Sequence, residues 1–167
     1  MTSEPTPGLP AWQPPQETTG PAPGVRYADH GARLLSYIVD VLILGVLVVV
    51  AVVVLGILGA ILAVSGQGIA AGLSFIGLFV AIFVVSLGYF PYFWLRGGQT
   101  PGMKAFRLKV VMDRDGGPVT LGPAILRLIG YWIDSLVFYL GFAWILIDSR
   151  RRGWHDLIAG TVVVQRD

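Results

Sequence analysis

No charged residue occurs between Asp40 and Arg96. About 20 consecutive apolar residues suffice to cross the hydrocarbon core of a bilayer, so residues 41–95 hold more than two such windows. Composition agrees: the chain is 54% hydrophobic and 13% charged, against about 25% charged in a typical soluble domain. The expected fold is an all-α polytopic membrane protein. SGQG (65–68), small and polar with two glycines, is the natural break. It leaves a first span over 34–64 and a second over 69–95. The first is longer than a perpendicular helix needs, so it tilts or starts among the headgroups. The second ends in YFPYFW (89–94), an aromatic cluster suited to a membrane interface, where Pro91 is expected to kink or end the helix.

Charge position sets the expected orientation. Arg96, Lys104, Arg107, Lys109 and Arg114 crowd the loop 96–120, whereas SGQG carries no cation. The positive-inside rule puts that loop and the N-terminus in the cytoplasm, and Arg26 and Arg33 agree. Within the loop, FRLKVVM (106–112) reads as a strand, followed by a DGGP turn (115–118) that suggests a hairpin. The β-branched TVVVQ (161–165) is its economical partner, since a lone strand is unstable. This pairing makes a small cytoplasmic β element and brings the C-terminus inside, as Arg150, Arg151 and Arg152 also require. Only one apolar segment, 121–147, lies between. It is expected to enter and return as a re-entrant hairpin, broken helix or interfacial helix, with Gly141 as the break; a single third span is the alternative.

Residues 1–26 are a different kind of sequence. Seven prolines fall among Thr, Gln and Gly before residue 26, too little apolar surface to offset the entropy of ordering. The segment is read as a disordered Pro-rich cytoplasmic tail, without the basic start and apolar core of a signal peptide. Residues 27–167 form the membrane domain.

Two octets repeat: RLLSYIVD (33–40) and RLIGYWID (127–134). On a helix, positions i, i+4 and i+7 share a face, giving the stripes Arg33–Tyr37–Asp40 and Arg127–Tyr131–Asp134. In each, the aspartate lies about 10 Å beyond the arginine at 1.5 Å per residue. An intramembrane charge costs ~2.5–3.5 kcal/mol on insertion scales. Arginine can snorkel to the headgroups, but aspartate is short and needs a partner. Crossed pairing of Arg33 with Asp134 and of Arg127 with Asp40 is one solution. Such pairs either fix helix packing or make protonatable or cation-binding sites on a transport path.

GGQTPGMK (97–104) lacks the Gly-Lys-Ser/Thr spacing of a phosphate loop and reads as a turn at Pro101–Gly102. Lys104, Arg150, Arg151 and Arg152 are candidate lipid-headgroup contacts. His155 and Asp156 invite a metal reading, but the chain has only one other histidine, His30, and no cysteine, too few ligands for a metal. Neither a metal nor another cofactor is expected. No nucleophile, base and orienting group stand together, so an enzyme is not expected.

An arginine opening the first span, an aspartate seven residues on, GQTPG (98–102), LKVV (108–111) and HDLIAGTVVV (155–164) occur in that order. The combination resembles the RDD family of small bacterial membrane proteins over about residues 27–165. The family takes its name from one arginine and two aspartates. Arg33 and Asp40 match the first two. Asp156 is favoured for the second aspartate, with Asp134 the other candidate. The family's basic residue after TPG falls at Lys104, behind Met103. The resemblance implies a multi-pass protein of the bacterial plasma membrane, and suggests transport of an ion or small solute, cation- or proton-coupled. The tail looks like those of actinobacterial members. A non-transporting accessory role, docking other membrane proteins, is the alternative. Expected partners are membrane lipids and either further copies of the chain or another membrane protein, with no nucleic acid.

The cysteine-free chain allows a direct test of topology. Ser65→Cys should react with an impermeant thiol reagent on intact cells, and Ser149→Cys only after permeabilisation. Labelling of Ser149→Cys from outside alone would require the inverse path for 121–147.

Overall fold

The computed structural model of the chain describes residue 20 and residues 25–166. The remainder of the N-terminal segment, and with it the expectation of a disordered tail, lies outside the described residues. Val25 and Arg26, placed in the tail by composition, instead form strand β1, Val25–Tyr27, against β3.

Asp29 caps helix α1, His30–Val64, its carboxylate accepting from the Gly31 N–H at 2.9 Å. The helix therefore starts four residues before the apolar run does. At 1.5 Å per residue its 35 residues extend about 52 Å, well beyond a hydrocarbon core of about 30 Å. Its first turns thus carry the polar residues of the first octet outside the apolar length. A tight turn, with Gly66 at φ +75°, leads into α2, Gly68–Gly97. The two helices pack as a hairpin. Gly59 sits under the Phe75 ring, where a Cβ would come within 3.1 Å of it. Ser74 Oγ donates to the Leu55 carbonyl at 3.3 Å. Both helices are long and apolar enough to cross a membrane. Their outward side chains, Val46 and Phe79 among them, are exposed, as lipid-facing residues would be.

Pro91 does not end α2. The helix runs on to Gly97 and closes at Gly98, whose φ of +73° lets its N–H reach the Trp94 carbonyl at 2.9 Å. Tyr89, Phe90 and Trp94, on both sides of the proline, are buried, and this packing holds the helix through the residue that would break it in water.

Thr100 then caps the short helix α3, Pro101–Ala105, with proline at its first position. Strand β2, Leu108–Met112, follows. Its partner is β3, Thr161–Arg166, antiparallel with Val110 opposite Val163, as the two β-branched runs imply. The sheet order is β1-β3-β2. Residues after the 113–117 turn form no second hairpin strand but lead into helix α4. Leu108, Val110 and Val163 pack with Tyr89, Phe90 and Trp94, joining the sheet to the end of α2.

The third apolar segment is bent. Helix α4, Leu121–Leu136, and helix α5, Leu140–Ala143, with the 3-10 turn Trp144–Leu146 behind it, meet at 108°. This is a broken form, but the break is not at Gly141, which lies inside α5. It falls at 137–139, where Phe138 and Tyr139 take left-handed φ of 54° and 60°. Gly141 serves close approach instead: a Cβ there would collide with the Asp134 carboxylate. Helix α6, Trp154–Ala159, ends at Gly160 with φ +61° and turns directly into β3.

Leu108 is fully buried at the junction of sheet and helices. Leu108→Ala should lower stability by about 2–5 kcal/mol, measured by thermal unfolding in detergent. Lys109→Ala, on the same strand but half-buried, should change it little.

Candidate functional site

Arg33 of the first octet, Arg127 and Asp134 of the second, and α6 converge on one buried polar centre. Asp156 is its hub. Arg33 Nη2 donates to Asp156 Oδ2 at 2.5 Å, and Arg127 Nη1 donates to Oδ1. The Gly153 N–H adds a third donor at 3.0 Å, and the Thr161 hydroxyl accepts from Arg127 Nη1 at 2.7 Å. Arg33 Nη1 also donates to the Arg151 carbonyl at 2.5 Å. Arg127 lies over the Trp94 ring at 4.9 Å and near Tyr131 at 5.8 Å, favourable positions for a cation in a low-dielectric setting. Arg127, Asp134, His155 and Asp156 have no exposed surface.

His155 extends the centre. Its Nδ1 is 2.6 Å from Asp134 Oδ2. Its Nε2 is 3.3 Å from Asp156 Oδ2 and 3.4 Å from Arg33 Nη2. The imidazole thus stands between two buried carboxylates. Burial would raise the Asp156 carboxyl, but the charges of Arg127, Arg33 and His155 outweigh it and hold that carboxyl well below the usual carboxylate range. Among the described residues, Asp134 Oδ1 and Arg127 Nε and Nη2 are buried with no hydrogen-bond partner.

Small residues make this approach possible. A Cβ at Gly130 would strike the His155 backbone, and one at Gly153 would reach the His155 ring at 2.5 Å. The centre therefore depends on glycines in α4, in α5 and before α6.

Asp40 stands in a separate cradle. Its oxygens accept from Tyr89 Oη at 2.9 Å, Thr100 Oγ1 at 2.5 Å and the Gly102 N–H at 2.8 Å. A Cβ at Gly102 would collide with the Ser36 carbonyl and press on Asp40. The TPG turn is thus the seat of the Asp40 carboxylate: threonine and glycine supply donors, and proline starts the helix that aims them.

These contacts correct the crossed pairing expected from the octets. Arg33 and Arg127 both pair with Asp156, Asp134 pairs with His155, and Asp40 has only neutral donors among the described residues. The reason is α6, which inserts between α1 and α4 and brings its own carboxylate to both arginines. The octets do face each other through their tyrosines: Tyr37 and Tyr131 meet edge to face at 6.1 Å. Of the headgroup candidates, Lys104 is exposed on α3. Arg150 and Arg152 pair with Asp113 at 3.1 and 3.0 Å, and Arg152 also with Asp148. Arg151 lies 3.7 Å from Asp29. His155, Tyr89, Thr100 and Gly102 complete the two centres. The signals for them were the WHDLIAGT and TPG segments and, for Tyr89, the YFPYFW cluster, whose polar residues gain their role only through contact.

A cavity of about 330 Å³ lies beside both centres, with Arg33, Tyr37, Asp40, Arg127, Tyr131 and His155 in its wall. Among the described residues no group of three or more His, Cys, Asp or Glu is placed to hold a metal ion.

Comparison with known proteins gives a consistent family. The sequence model of the RDD family matches residues 27–160. An uncharacterized protein of Rickettsia prowazekii is 34% identical over 89 residues, covering 53% of this chain and 49% of its own. A proline-rich antigen homolog of Mycobacterium tuberculosis is 30% identical over 106 residues, 59% of this chain and 44% of its own. The uncharacterized protein YxaI of Bacillus subtilis is 33% identical over 95 residues, 56% of this chain and 62% of its own. The chain thus spans about half the length of the curated relatives it matches. No solved structure matches it.

Removing the hub should be severe. Asp156→Asn leaves two buried guanidiniums without their counter-charge and should cost about 3–5 kcal/mol, read as a lowered melting temperature in detergent. Because the folded carboxyl is depressed, its contribution is present above the unfolded value, about 3.9. It is lost as pH falls below that value toward the folded one. The wild-type melting temperature should therefore drop below about pH 4, and Asp156→Asn should lack this component.

Proposed function

The chain belongs to the RDD family, and on that premise we propose that it is a multi-pass protein of the bacterial plasma membrane that carries out proton-coupled transport of a small solute. The relay is Asp134–His155–Asp156. The observation that carries this reading is the position of His155 between two buried carboxylates, 2.6 and 3.3 Å from their oxygens. A histidine ring can hold a proton on either nitrogen or on both, and Asp/His chains in a membrane domain are a form that proton relays take. The Arg33 contact at 3.4 Å suits a neutral Nε2 that accepts, and the Asp156 contact suits a protonated Nε2 that donates. One ring can therefore exchange partners with its proton. Asp40, the carboxylate singled out from the sequence, has a different role here: three neutral donors occupy it, so it locks α1 to the TPG turn.

The loop cations support a cytoplasmic position for the sheet and for the end of α2, by the positive-inside rule. The bacterial relatives support the plasma membrane. Two long helices and one bent segment cannot enclose a path alone, so the reading includes further copies of the chain or a membrane-protein partner. The role is non-enzymatic. Asp134 orients His155 as it would a general base, but the other ring nitrogen faces Asp156 and Arg33 and not a hydroxyl or thiol nucleophile.

The test is proton flux in liposomes holding the purified protein, driven by a pH step and repeated with Na⁺, K⁺ and Li⁺ gradients. Wild type should show flux, and Asp134→Asn and His155→Gln should reduce it at least tenfold with the oligomer intact. Asp40→Asn should act mainly on folded yield. Absence of flux under every gradient would remove the transport reading.

A further inference from the structure

We propose that the cavity between α1 and the bent segment α4–α5 binds a lipophilic carboxylate, of the class of medium-chain fatty acids, entering from the bilayer. The inference assigns the solute class of the transport reading above and rests on it for the proton that accompanies the anion.

The wall has two chemical parts. Arg33, Arg127 and His155 supply cationic or proton-donating groups, while Asp134 and Asp156 are not part of it. Its one carboxylate among the described residues, Asp40, already accepts from Tyr89, Thr100 and Gly102. The polar part therefore offers donors and little free acceptor capacity. Ser36 and His30 also line it, each already hydrogen-bonded to a main-chain carbonyl, and most of the remainder is apolar or aromatic, with Phe90, Phe142, Ile145 and Val163. A mostly apolar pocket with a few convergent polar groups is the usual form of a small-molecule site.

The mouth indicates the route. Leu34 and Leu146 belong to the wall and are 60% and 70% exposed. Leu34 lies on the helix whose apolar flank continues along the first span. An occupant can thus keep its chain in the apolar phase while its head reaches the arginines. The volume, about 330 Å³, holds about eleven small groups at the roughly 30 Å³ that a water molecule occupies in the liquid. Octanoate is of that size.

Charge balance ties the site to the relay. In charge count, Asp156, which pairs with both arginines, and Asp134, which pairs with His155, already balance Arg33 and Arg127. An incoming carboxylate adds one negative charge, which a buried site does not tolerate uncompensated. His155, beside the cavity and between the two aspartates, is placed to take the matching proton.

The experiment is equilibrium dialysis of labelled octanoate against the full chain in lipid nanodiscs, with empty nanodiscs as reference. Saturable binding, one per chain, is expected above the reference. Unlabelled octanoate should displace it, whereas octan-1-ol and octylammonium should not. Ala143→Trp fills the cavity from a wall residue outside the ion pairs and should weaken binding at least tenfold, with unchanged circular dichroism. No excess over empty discs would overturn the site, as would equal competition by octylammonium or octanol, or unchanged binding in Ala143→Trp. Saturable binding without proton flux would support the site and remove the transport reading. Flux without octanoate binding would do the reverse.

Discussion

The fold depends on one carboxylate shared by two guanidiniums. Asp156 lies fully buried between Arg33 of α1 and Arg127 of α4. Moving such charges out of water costs several kcal/mol per ion even after relaxation, so the arrangement holds only if geometry and further hydrogen bonds are good. Here they are supplied by Gly153, Thr161 and the Arg151 carbonyl. The bridge joins segments separated by more than a hundred residues. It thereby fixes α6, the turn into β3, and the sheet that β3 centres.

The same bridge explains why the polar residues of a membrane domain gather at one end of it. α1 and α2 are apolar over most of their length and tolerate exposure only to lipid. Their polar turns come at the sheet end, where β2 and β3, the TPG turn and α6 can satisfy them. Asp40 and Asp156 thus perform related tasks by different chemistry. One is held by neutral donors from a turn, the other by charges from two helices. Between them, the tyrosines of the two octets and Phe142 make an aromatic layer against His155.

The bend between α4 and α5 belongs to this logic. A straight α4 would carry the chain away from the bridge. Left-handed Phe138 and Tyr139 return it, and Gly141 then fits against Asp134. Glycines at 102, 130, 141 and 153 each stand where a Cβ would meet the Asp40, His155 or Asp134 neighbourhoods. These four glycines mark where backbone must come close to a charged or ionisable residue.

The sequence by itself determined the two long helices, the SGQG turn, the pairing of the two β-branched runs and the broken character of the third apolar segment. These follow from local quantities: the length of an apolar run, β-branching, small polar breaks and the placement of cations. It also marked Arg33, Asp40, Arg127 and Asp134 as costly residues, the two aspartates most in need of partners, while Asp156 came forward through the family resemblance. Only the tertiary structure decided which partner each found. The octets suggest crossed pairs because their spacing holds only the two helices that carry them. α6, six residues long and weakly marked in sequence, came between them and took both arginines. Likewise Pro91 reads as a kink or an end because its local cost is large, yet the helix continues past it, held by the buried aromatics around it. Partner choice among buried charges is a property of what surrounds them in space, and no spacing along the chain encodes it.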